Sequence, residues 1–183
     1  MASDFQRRKV GSVFAAMDKR GRGFLVEDDF EALAVRWTTL RGLPPGTDQS
    51  VRLRTLMLGW WSTLSSTAQD GARVHLDDVM TLVDHLPAMT GAMTATADAM
   101  FVAIDANADQ RISRAEYREL IEAWNGCPTD TDEVFALLDL DSDGYISRDE
   151  FRQLWREFWA GDDPQEPGTW VFGRFGQHSE TAR

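Results

Sequence analysis

Between Asp139 and Glu150 the chain reads Asp-Leu-Asp-Ser-Asp-Gly-Tyr-Ile-Ser-Arg-Asp-Glu, with acids at loop positions 1, 3, 5 and 12, glycine at 6 and isoleucine at 8. A hard cation such as Ca²⁺ takes about six to eight oxygen ligands, and alternate residues of a tight loop can aim several short carboxylates at one centre. Asp139, Asp141 and Asp143 are those carboxylates, the backbone carbonyl of Tyr145 adds a fourth group, and Glu150 closes the shell with both oxygens. Ser147 is placed to reach the ion through a water molecule. A plain helix cap would account for Ser147 and Glu150, which spell Ser-x-x-Glu, but for neither the three aspartates nor Gly144.

The same pattern recurs 34 residues upstream, from Asp105 to Glu116. Here Asp105, Asn107, Asp109, the backbone carbonyl of Arg111 and Glu116 form the oxygen set, with Ser113 at the water-mediated position and Ile112 at position 8. Two features weaken this loop. Gln110 stands at position 6, where a sharp turn favours glycine and a Cβ at positive φ costs roughly 1–2 kcal/mol. Asn107 replaces an aspartate, so the side chains carry three formal negative charges (Asp105, Asp109, Glu116) against four (Asp139, Asp141, Asp143, Glu150). Glutamate at position 12 of both loops favours calcium over magnesium, because the smaller ion rejects the extra oxygen.

Such loops need rigid flanks, and the flanks repeat. Counting back from position 1, apolar residues fall at −5, −4 and −1: Met100, Phe101 and Ile104 before one loop, Val134, Phe135 and Leu138 before the other. Counting forward, Tyr117, Leu120, Ile121 and Trp124 match Phe151, Leu154, Trp155 and Phe158. This is the spacing of one helix face, so each helix-loop-helix unit carries an apolar stripe that must be buried against another unit.

The repeat extends into the amino-terminal half. Val13, Phe14 and Met17 precede a loop from Asp18 to Asp29, and Phe30, Leu33, Ala34 and Trp37 follow it. That loop keeps Gly23 and Leu25 but has Arg20 and Arg22 where oxygens belong, and Asp29 is one methylene too short to bind with both oxygens, so it is expected not to hold a metal. A cryptic second unit places Trp60, Trp61 and Leu64 before a loop from Ser65 to Asp78, with Val79, Leu82, Val83 and Leu86 after it. This loop is two residues too long, Asp70 is its only early acid, and Val74 takes the place of the apolar residue at position 8.

Four such units in 183 residues resemble the sarcoplasmic calcium-binding protein family of EF-hand proteins, including bacterial members such as calerythrin. The resemblance spans most of residues 1 to 172, and its specific part is the pair of ligand loops. It implies an all-α fold in which four EF-hands form two pairs packed face to face in one compact globule. Expected divisions are 1–87 for a degenerate pair, 94–160 for a calcium-binding pair and 161–183 for a partly packed tail. The interruption Pro87 to Met93, in place of a long charged linker helix, supports compactness. Family members often keep a working first loop; this chain does not, so two calcium ions are expected instead of three.

Composition narrows the function. A net charge of −11 argues against nucleic acid, whose phosphates require basic surface. No run is long enough to span a bilayer, no charged-then-apolar leader opens the chain, and Ala2 excludes myristoylation, so the expected location is the cytoplasm without membrane attachment. The two lysines against seventeen arginines fit a GC-rich bacterial genome. Cys127, between Gly126 and Pro128, reads as a linker thiol, and His75, His85 and His178 have no spacing for a transition metal or a catalytic base. The chain is therefore expected to be no enzyme, a monomer, and a calcium buffer or a calcium sensor of modest amplitude.

Two alternatives carry different consequences. A calmodulin-like sensor would recruit a protein target helix through an apolar groove, for which Met80, Met89 and Met93 are the methionines not already assigned to core stripes. A coelenterazine-like small-ligand binder would enclose an aromatic cavity, and seven tryptophans invite that reading, although Trp37, Trp60, Trp61, Trp124 and Trp155 sit on stripes. In the tail, Gly161 reads as a helix-ending residue, Trp170 and Phe172 are expected to fold back into an apolar cleft between the pairs, and residues 176–183 to be disordered.

Overall fold

The computed structural model describes residues 2–174; Phe175, His178 and the expected disorder of 176–183 lie outside them. Among the described residues the order is α1 (Asp4–Met17), β1 (Phe24–Leu25), α2 (Glu27–Leu40), α3 (Asp48–Thr67), β2 (Val74–His75), α4 (Leu76–His85), α5 (Thr90–Ile104), β3 (Arg111–Ile112), α6 (Arg114–Asn125), α7 (Asp132–Leu138), β4 (Ile146–Ser147) and α8 (Arg148–Ala160). Helix starts follow from side-chain caps: Ser3 accepts from the Gln6 N–H at 3.1 Å, Thr47 from Ser50 at 3.3 Å, and Ser113 and Ser147 from Glu116 and Glu150, each at 3.3 Å. α6 stops at Gly126, whose φ of 69° supplies the left-handed turn that ends a helix.

The hands pair as their stripes require. β1 runs antiparallel to β2 with Leu25 opposite Val74, and β3 to β4 with Ile112 opposite Ile146. All four position-8 side chains are buried at 2% exposure or less. The cryptic second unit thus pairs through the residue expected from its sequence, but its loop differs from the expected span. α3 runs on to Thr67 and takes up the surplus residues, leaving Ala68 at the helix-ending position held by Asp18, Asp105 and Asp139 elsewhere. Pro87 lies in a 3-10 turn over Leu86–Ala88, and α5 already begins at Thr90, four residues ahead of the expected boundary, so Gly91 and Met93 are helical.

One apolar core runs through both halves, with α2 against α6, α3 against α5, and α1 against α6 and α8. Trp60 of α3 bridges them, its ring centroid 6.1 Å from Trp124 and 5.9 Å from Trp155. Met80 and Met93 are buried core residues, which corrects the expectation that they were free to line a groove; only Met89 of the three is exposed.

The tail folds back. After a 3-10 turn over Pro167–Trp170, Val171 is 1% exposed and Phe172 enters a cage of Trp124, Phe158, Trp155 and Trp159 with centroids 4.8–6.0 Å away. Phe172 is the plug, and it seats chiefly on the carboxyl-terminal pair. Trp170 is only partly buried and contributes its backbone carbonyl, which accepts from the Tyr117 hydroxyl at 3.1 Å. Gly161 ends α8 with φ −79°, an ordinary value; glycine is needed there for space, because a Cβ would lie 2.3 Å from the Glu157 carbonyl.

Candidate metal centre

Loop three, residues 105–116, and loop four, residues 139–150, share their main hydrogen bonds. Each follows a helix that ends on its position-1 aspartate, whose backbone N–H still donates into that helix: Asp105 to Phe101 at 2.9 Å and Asp139 to Phe135 at 3.0 Å. The two carboxylate oxygens of that aspartate then accept from positions 5 and 6. For Asp105 the donors are Asp109 at 3.1 Å and Gln110 at 3.0 Å; for Asp139 they are Asp143 at 3.1 Å and Gly144 at 2.9 Å. Asn107 and Asp141 accept from Asp109 and Asp143 at 3.0 and 3.1 Å. Asp109 and Asp143 accept from Arg111 and Tyr145, both at 2.9 Å. These bonds hold the short side chains inward, toward the centre that a cation would occupy.

The position-12 glutamates span the loop ends. Glu116 accepts from the Ala106 N–H at 2.9 Å with one oxygen and from the Ser113 N–H and hydroxyl, both at 2.8 Å, with the other. Glu150 repeats this with Leu140 at 2.9 Å and both donors of Ser147 at 2.7 Å. A carboxylate has about four lone-pair sites, so acceptor capacity remains for a cation. Burial pushes the Glu150 carboxyl up, but the hydrogen bonds from Ser147, Leu140 and Asp141 outweigh it and leave the group below the usual carboxylate range. Ser113 and Ser147 act as helix caps and sit where a water-mediated ligand would be held.

In loop four the carboxylate oxygens of Asp139, Asp141 and Asp143 lie within 4.8 Å of one another. A converging, all-oxygen, negatively charged set of this kind suits a hard divalent cation and not a thiophilic or imidazole-seeking one. Loop three repeats the hydrogen bonds of loop four with an amide for one carboxylate and a costlier backbone. Gln110 has φ 67°, and Ala108 at position 4 has φ 59°, so two side-chain-bearing residues sit in the left-handed region. Loop four has one, Ser142 at φ 60°, with Gly144 at 91°. The requirement at position 4 was missed by sequence reading; its signal was Gly21, at the same place in loop one with φ 61°.

Loop one keeps this framework without the ligands. The Gly23 N–H donates to Asp18 at 2.7 Å and the Val26 N–H to Asp29 at 2.8 Å, as in the acidic loops. Arg22 bridges the two acids: its Nη2 donates to Asp29 at 2.5 Å and its Nε lies 3.6 Å from Asp18. A guanidinium therefore neutralises the position-1 and position-12 carboxylates of the silent hand. Asp18 is raised by burial but held net below the ordinary range by the backbone N–H groups of Arg22 and Gly23 and by the Arg22 charge. In loop two Asp70 caps its own turn, accepting from Ala72 at 3.2 Å.

His75 and His85 lie outside the acidic loops, with ring nitrogens 3.2 Å from the Gly23 carbonyl and 2.7 Å from that of Thr81. Cys127 is exposed in the link between α6 and α7. No helix among the described residues is long and apolar enough to cross a membrane.

Helix-loop-helix units joined two by two through short antiparallel strands, with acidic twelve-residue loops, define the EF-hand class. Residues 94–156 match the family model of the EF-hand domain pair, so this part of the chain is an EF-hand pair. Calcium binding is the activity this family match supports. The fold as a whole is shared with the calcium-loaded apo form of the coelenterazine-binding protein from Renilla muelleri, at TM-score 0.73 and 23% identity over 94% of this chain and 100% of that one. A calcium-binding protein of Streptomyces coelicolor, associated with prokaryotic calcium-mediated regulation, aligns at TM-score 0.68 and 20% identity over 86% and 99% of the two chains. The sarcoplasmic calcium-binding protein of amphioxus aligns at TM-score 0.68 and 14% identity over 95% and 99%. No curated protein matches the chain by sequence.

Proposed function

We propose that the chain binds two calcium ions, one in each acidic loop, and serves as a calcium buffer or a sensor of modest amplitude, without catalytic activity. Asp105, Asn107, Asp109, Arg111 and Glu116 form the weaker site; Asp139, Asp141, Asp143, Tyr145 and Glu150 form the tighter one. The observation carrying this is the repetition of the same hydrogen bonds in both loops, each to within 0.1 Å of its counterpart. Modest amplitude follows from the packing: a hand that opens widely must expose its stripe, and here the stripes are covered by the opposite pair and by Phe172. Equilibrium dialysis should return a stoichiometry of two, and calcium should raise the thermal midpoint with little change in radius of gyration. Zero stoichiometry at millimolar calcium refutes the binding reading; a large expansion replaces the buffer with a target-recruiting sensor.

A second reading has its own observation. An apolar cavity of about 250 Å³ lies between α3, α4, α5 and α8, lined among others by Trp60, Trp155, Trp159, Met89 and Met93. Aromatic and aliphatic side chains make up the wall, so a small, largely apolar or aromatic ligand would suit this cavity. An organic mass retained by the purified protein in native mass spectrometry supports this reading, and its consistent absence after loading trials with aromatic ligands removes it.

A further inference from the structure

We infer that Arg41, at the end of the silent first hand, is a positioning residue for the calcium site in loop three. Its side chain, 6% exposed, leaves the carboxyl end of α2 and passes the Trp37 ring with its guanidinium carbon 5.3 Å from the centroid. Nη1 donates to the Ala103 carbonyl at 2.6 Å and Nη2 to the Ile104 carbonyl at 2.7 Å. Those are the last two carbonyls of α5, and Asp105, the position-1 ligand, follows directly. Nε donates to Glu119, which sits on α6 one turn beyond the position-12 Glu116 and also accepts from Trp37 Nε1 at 2.9 Å. One buried cation thus ties the end of the helix entering loop three to the helix leaving it.

The final carbonyls of a helix have no intrahelical donors, and a cation there also meets the negative end of the helix dipole. Arg41 satisfies both needs with charge-assisted bonds, so the angle between α5 and α6 is fixed by a residue of the metal-free half. A further contact from the same side, in which Gln49 Nε2 donates to the loop carbonyl of Ala106 at 3.2 Å, reinforces the hold. The braced loop is the one with two strained backbone residues and one fewer charge, where preorganisation matters most. The silent hands thereby take part in calcium binding without touching the ion.

This inference rests on loop three binding calcium, and paired backgrounds separate the two. Glu150→Gln leaves loop three as the reporting site, and Glu116→Gln leaves loop four. Arg41→Met in the first background should weaken calcium roughly three- to tenfold and speed its dissociation in stopped-flow chelator experiments. The same change in the second background should leave affinity and dissociation rate within twofold, and Arg41→Lys should recover part of the loss. In metal-free protein Arg41→Met should also accelerate hydrogen exchange at the amides of Ile104, Asp105 and Ala106. Should Arg41→Met fail to fold, Glu119→Gln cuts the other end of the brace and is expected to show the same site preference. Equal effects in both backgrounds, or unchanged exchange and dissociation, overturn the inference; a Glu150→Gln protein that binds no calcium refutes the two-site proposal instead, and the exchange measurement still decides the role of Arg41.

Discussion

Gln110→Gly probes how much backbone strain costs the weaker site. The residue holds φ 67° in loop three, where a side chain bearing Cβ pays about 1–2 kcal/mol. Glycine removes that cost but brings about 0.5–1 kcal/mol of additional freedom that binding must suppress. The net gain is about 0.5–1 kcal/mol, or roughly two- to fivefold in affinity. Nothing else should change: Gln110 is exposed, and its backbone N–H, which donates to Asp105 at 3.0 Å, is kept in the variant. Isothermal calorimetry in the Glu150→Gln background isolates the site, and Ala108→Gly provides an independent release of the same kind at position 4. Unchanged or weakened binding in both variants would refute strain as the cause of the difference between the loops. It would leave the missing charge at Asn107 as the whole explanation, testable by Asn107→Asp.

Other outcomes follow from the packing. Phe172→Ala empties a cage of four aromatic rings and should cost about 3 kcal/mol, seen as a thermal midpoint lower by roughly 6–12 °C. Arg22→Ala leaves Asp18 and Asp29 facing each other without a cation and should lower stability by about 1–3 kcal/mol in urea titrations, while calcium stoichiometry stays unchanged. Lys9 is fully buried, donating at 2.9 Å to the carbonyls of Glu157 and Gly161 at the end of α8. Desolvation pulls its pKa from 10.5 down to about 8 against the opposing pull of Glu166, Asp162 and Glu157. The unfolded chain then holds this proton to higher pH than the folded one, so the contribution of Lys9 to stability rises between pH 8 and 10.5. Lys9→Met should abolish that rise in melting curves collected across the window.

The fold of the two acidic loops was legible in the sequence because it is local: the hydrogen bonds that shape each loop are made within its own twelve residues. The stripes were legible because helix periodicity is local too, and Leu25, Val74, Ile112 and Ile146 pair as their spacing requires. The second hand was legible only in part. The length of α3 is set by its packing against α2 and α5, so the surplus residues went into helix and not into the loop. The roles of Lys9, Arg22 and Arg41 depend on which partner lies within reach across 7 to 152 residues of chain, and a long flexible side chain leaves no mark of that in sequence. The same holds for Met80 and Met93, which any helix face could have exposed and this packing buries. By itself, then, the sequence determined the acidic loops, whose hydrogen bonds close within single units, and the need for paired hands, since each unit carries an apolar stripe that another must cover. Tertiary structure alone decided that Arg41 of α2 reaches the end of α5, because that contact exists only once the two halves have docked.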